Sequence, residues 1–122
     1  MDFLCRTGVV AAIALAFALV LNPLAGHAAD SGEVEFAKGW DLLQKKQYQE
    51  ARTALEAGMK KNPSSALAHF YLADACRGLK AWPCAEEHYE TSLELDGKST
   101  VAGLAKARLH KAKGWRLLSE AK

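Results

Sequence analysis

A chain of 122 residues with 50% hydrophobic and 25% charged side chains and a formal net charge of +2 has the size and make-up of one small domain, which excludes a multi-domain enzyme. An unbroken apolar block near the amino end uses up a large share of the hydrophobic residues, so the part left to fold has a thin core. Charge is uneven: residues 29–97 carry eight basic against twelve acidic side chains, net −4, whereas residues 98–122 carry seven against one, net +6.

The amino end reads as an export signal. After a short segment with one basic residue, Arg6, the run Gly8 to Leu21 holds fourteen residues without a polar group. A membrane-spanning helix wants roughly 20 apolar residues, so this block is short for a span, and Asn22-Pro23 breaks it. Gly26 and Ala28 then meet the small-x-small rule for signal peptidase. The expectation is a signal peptide over residues 1–28, cleaved after Ala28, a short linker over 29–32, and delivery to the periplasm or the exterior. An uncleaved anchor is the competing reading. His27 stands where a bacterial lipoprotein would carry its cysteine, which argues against lipid anchoring. Cys5 would leave with the leader, so Cys76 and Cys84 form the exported pair.

The rest is organised by an internal period of 34 residues. That shift brings Tyr48 onto Trp82, Ala51 onto Ala85, Leu55 onto Tyr89, Met59 onto Leu93 and the helix-ending Pro63 onto Gly97. Gly39 falls on Ala73 and Gly58 on Ser92. Small residues recur where helices must approach and bulky ones where a gap must be filled, so the period is a packing pattern. Each unit reads as two helices. The first unit, residues 33–64, has helices from Glu33 to Lys45 and from Tyr48 to Lys61, stopped by Asn62-Pro63. The second, residues 65–98, repeats them from Ser65 to Leu79 and from Pro83 to Leu95, with Ser64 or Ser65 as cap, Pro83 tolerated in a first turn and Asp96-Gly97 as the stop. Residues 99–122 start a third unit without finishing it. They read as a basic closing helix with an apolar stripe of Val101, Leu104, Ala105, Leu109, Ala112 and Trp115 opposite Lys106, His110 and Lys113.

These slots resemble the tetratricopeptide repeat: a small residue in the first helix (Gly39, Ala73), an aromatic at the corner (Tyr48, Trp82), then Ala, a bulky residue and a small residue in the second helix (Ala51, Leu55, Gly58; Ala85, Tyr89, Ser92), closing on Pro63 or Gly97. Lys38, Leu42 and Cys76 depart from the usual pattern. The resemblance implies an all-α solenoid of two helix-turn-helix repeats plus a capping helix. It further implies an adaptor or scaffold that holds a peptide or helix of another protein, here of the cell envelope, in the groove formed by its first helices. Carried over position by position, that groove uses Phe36, Trp40, Leu43 and Gln44, then Phe70, Asp74 and Arg77, then Arg108 and Lys111. Phe36 and Trp40 have a second reading, as cover for the open amino end. They also stand where the carboxylate-clamping subset of the family needs Lys and Asn.

Cys76 and Cys84 flank the corner Lys80-Ala81-Trp82-Pro83 at a spacing that suits a disulfide between antiparallel helices; two free thiols, or a metal or thiol role shared with His88, are the alternatives. No Gly-rich phosphate loop, catalytic constellation or cofactor motif is evident, His69 and His110 included, so the expectation is a binding protein without turnover, metal or cofactor. His69 is expected where the first helix of its unit opens to the groove. The basic closing helix suits an acidic partner, an anionic membrane or a second copy, and nucleic acid is excluded by export and by the mixed charge of the groove.

Overall fold

A computed structural model describes residues 31–122; the expected signal peptide and its expected cut after Ala28 lie outside the described residues. Five helices follow: α1 (Glu33–Gln44), α2 (Tyr48–Lys61), α3 (Ala66–Gly78), α4 (Trp82–Leu95) and α5 (Thr100–Glu120), and the described residues contain no strand. Each packs against the next, and the first helices of successive units also meet, α1 with α3 and α3 with α5. This is the all-α stack of hairpins that the period predicts, with Gly32–Lys122 forming one compact unit.

Local chemistry sets the helix ends. Ser65 caps α3, its Oγ accepting from Ala68 N at 3.2 Å. Pro83 sits in the first turn of α4, where a missing N–H costs nothing. Asp96 Oδ1 accepts from the backbone N–H groups of Lys98 and Ser99, both at 3.2 Å, and turns the chain into α5. Both hairpin corners use one device: Gln47 N bonds to Leu42 O and Lys46 N to Leu43 O, and one period later Ala81 N bonds to Cys76 O and Lys80 N to Arg77 O.

Packing repeats at the same period. A Cβ on Gly39 would lie 2.5 Å from the Leu55 side chain, so glycine is what lets α2 close on α1. A Cβ on Gly78 would lie 2.3 Å from the Tyr48 ring, which is how the first corner aromatic locks onto the second unit. Where Gly32 approaches Gly58 in unit one, Ser92 Oγ donates to Ala66 O at 2.8 Å in unit two, at the same pair of positions.

Two apolar clusters result. Ala51, Leu55, Leu72 and Ala75 centre the first, and Phe70, Ala73, Cys76, Ala85, Tyr89, Ala105 and Ala112 the second, with Tyr71 packed against both. Fully burying a side chain such as Leu55 contributes about 1.5–3 kcal/mol, so a few such contacts decide the stability of so small a domain.

The closing helix follows its expected stripe in part. Ala105 and Ala112 are buried, with Ala102 beside them, and Val101 and Leu109 pack half-buried against the second cluster. Leu104 and Trp115, expected in the same stripe, are exposed. The charge of α5 is largely answered within the chain: Lys113 pairs with Glu90 at 2.8 Å, Arg116 with Glu86 at 2.7 Å, and Arg108 with Asp74.

Candidate functional site

The inner faces of α1, α3 and α5 enclose a concavity of about 290 Å³. The period builds it: Trp40, Asp74 and Arg108 hold one repeat position in three successive first helices, and Asp74 and Arg108 are ion-paired across exactly one period of 34 residues. Trp40, Leu43 and Gln44 line it from α1, Phe70, Asp74 and Arg77 from α3, and Arg108 from α5.

Asp74 is the hub. Its side chain is 14% exposed; the Tyr89 hydroxyl donates to Oδ1, the Arg108 guanidinium donates to Oδ2, and Arg77 Nε stands 3.6 Å from Oδ1. The Arg108 guanidinium carbon also sits 4.9 Å from the centroid of the Phe70 ring, a cation–π contact. Burial, then the Asp74 charge and hydrogen bond, push the Tyr89 phenol far above its ordinary range, so it stays a protonated donor. Burial and the same carboxylate raise the Tyr71 phenol. One carboxylate thus meets two guanidinium groups, which leaves the concavity with a surplus positive charge beside Trp40, itself 46% exposed.

Two residues expected in the groove are placed elsewhere. Phe36 packs against Gly58 and the first apolar cluster, because Gly58 leaves its ring a slot between α1 and α2. Lys111 is exposed on α5 and does not line the concavity. Two lining residues had been missed, Tyr48 and Tyr71. Tyr48 was legible as the corner aromatic, whereas Tyr71 falls between Ala37 and Ala105 in the register and gave no signal.

His69 is a correction. It is 8% exposed and turned away from the groove, with Nε2 3.0 Å from Pro63 O and Nδ1 3.1 Å from His88 Nδ1. A carbonyl only accepts, so His69 donates from Nε2 and accepts at Nδ1 from the His88 N–H. His88 is therefore engaged with a histidine across the α3–α4 contact. Cys76 and Cys84 form a close pair with Cα atoms 5.8 Å apart. Among the described residues no group of three or more His, Cys, Asp and Glu side chains is arranged to hold a metal ion.

The family model of the tetratricopeptide repeat matches residues 36–100. No match was found among curated proteins. Tetratricopeptide repeats commonly mediate protein–protein interaction and are generally scaffolds without catalysis. The matched span runs from α1 through both corners to the first residue of α5, and the chain belongs to the tetratricopeptide repeat family.

Proposed function

We propose that this chain is an exported adaptor that holds a segment of an envelope protein in the concavity of α1, α3 and α5 and performs no turnover. The observation that carries the reading is the Asp74 hub. Its ion pair and cation–π contact hold Arg108 in place, while Arg77, at 45% exposure, retains donors for a ligand beside the exposed Trp40. Aromatic and Arg side chains held in place are the residue types that concentrate binding energy. The partner segment presents an apolar side chain to Trp40 and Leu43 and a carboxylate to Arg77. Trp40→Ala combined with Arg77→Ala is expected to abolish capture of that partner while the helical circular dichroism signal is kept; undiminished capture contradicts the reading.

Export rests on the leader, and the exported protein is expected to begin at Ala29 by intact mass. In an oxidising compartment the Cys76–Cys84 pair closes into a bridge. A loop of that size contributes about 2.5 kcal/mol by the chain-entropy estimate. Thiol titration of unfolded, unreduced protein from its own compartment should find neither cysteine; two titratable thiols would remove the bridge.

A further inference from the structure

The end of α5 does something the repeat does not require. α1 and α3 stop at equivalent positions, Gln44 and Gly78, and the matching residue of α5 is Ala112, yet α5 runs on to Glu120. Eight residues, about 12 Å of helix, overrun the stack. The overrun is held in place: the Trp115 ring stacks on Trp82 with centroids 6.3 Å apart and planes 16° from parallel, and Arg116 bonds to Glu86 and Glu120. What it leaves outside is apolar, with Trp115 57%, Leu117 58% and Leu118 59% exposed.

Around these residues basic side chains outnumber acidic ones. Lys80 and Lys122 line a shallow hollow with Trp82, Trp115 and Leu118, and Lys111 lies one turn before Trp115 on α5. None of the three lysines has a side-chain ion pair among the described residues, whereas Glu120, the single acidic side chain of residues 98–122, is taken by Arg116. At 100° per residue, Leu117, Leu118 and Trp115 fan over about 160° of the helix circumference. A peptide or a single helix lies along one face and leaves part of such a convex tip wet, whereas a lipid headgroup layer deforms around it. Tryptophan and leucine with flanking lysines are also the residue types that settle at an anionic interface.

We propose that this tip is an interfacial anchor for an anionic lipid surface, with Trp115, Leu117 and Leu118 entering the headgroup layer and Lys80, Lys111 and Lys122 meeting lipid phosphates. No helix among the described residues is long and apolar enough to cross a membrane, so the tip lies on the surface. The tip lies outside the groove, and the two proposals fail separately.

The test uses the unit Gly32–Lys122, which holds both apolar clusters within itself; the apolar leader would bind vesicles unaided. Its binding is followed by cosedimentation and tryptophan emission with vesicles of equal parts phosphatidylglycerol and phosphatidylcholine, and of phosphatidylcholine alone. Expected are a blue shift and binding to the anionic vesicles, loss of that binding in roughly 0.5 M salt, and none on the neutral ones. Trp115→Ala with Leu118→Ser should weaken binding about tenfold or more with helicity unchanged, while Trp40→Ala with Arg77→Ala binds like the parent. No binding to anionic vesicles, or binding indifferent to the Trp115 and Leu118 changes, overturns the proposal. So does sedimentation showing a dimer that those changes dissolve, or saturable binding of an acidic synthetic peptide without any vesicle binding.

Discussion

Lys46 and Lys80 stand one period apart in left-handed backbone, with φ of 59° and 57°. Each closes the hairpin corner of its unit, and each stands in the left-handed position at a helix end that glycine usually fills, because a Cβ is crowded there. An L-residue in that conformation costs roughly 1–2 kcal/mol, and glycine returns part of the gain as extra freedom in the unfolded chain, about 0.4–1 kcal/mol. Lys46→Gly and Lys80→Gly are therefore each expected to raise stability by about 0.5–1 kcal/mol in urea unfolding. A lower midpoint in both variants would mean that the lysine side chains contribute contacts of their own. The sequence places Lys46 and Lys80 at the hairpin corners, but nothing in it marks their left-handed backbone, since neither is glycine or asparagine. Gly39 and Gly58, by contrast, were legible as close-approach points because each recurs as Ala73 or Ser92 one period on. His69 was misread for a related reason: helical spacing gives a residue's angle around the axis, but the loop carbonyl of Pro63 and the ring of His88 decide which neighbour it meets.

At the scale of helices, the joint between α3 and α4 is the one with a titratable lock. His69 and His88 meet ring to ring, 5.3 Å between centroids, with tautomers fixed by the Pro63 carbonyl. Burial, then the neighbouring His69, lowers the His88 pKa below its ordinary 6.5; Arg52 of α2 acts in the same direction, and Glu87 and Glu56 oppose it. The native state thus keeps His88 neutral at a pH where the unfolded chain already binds the proton. The contribution is complete above about pH 6.5 and is lost as pH falls through the lower folded value. Thermal melting between about pH 7 and about pH 5 should fall more steeply in the parent than in His88→Gln. Equal slopes would remove the histidine pair from the stability of this joint. Helix limits were legible to within a residue or so, because Pro63, Ser65, Pro83 and Asp96 act locally. The buried side of α5 was legible in part: Val101, Ala105, Leu109 and Ala112 of the expected stripe pack into or against the core, whereas Leu104 and Trp115 lie outside it.

Over the whole molecule, the fold and the groove have one cause. Identical contacts repeated every 34 residues place the first helices side by side, so residues at one repeat position, such as Trp40, Asp74 and Arg108, face a common hollow. Most of that hollow could therefore be read from sequence. The Asp74 hub could not, since it needs Tyr89 to arrive from the second helix of its unit and Phe70 to lie against the Arg108 guanidinium. The basic cast of the last 25 residues also changes meaning once folded: three of its cations are neutralised by Asp74, Glu86 and Glu90, and the unpaired lysines remain at the surface. The most direct measurement is site-specific photo-crosslinking in the native compartment, with a photoreactive residue at Gln44 inside the concavity or at the exposed Glu94 of α4 as control. A discrete adduct with one protein from Gln44, lost on Trp40→Ala with Arg77→Ala and absent from Glu94, is the predicted result; the same adduct from Glu94, or one from Gln44 that survives both substitutions, would contradict a partner held in the groove.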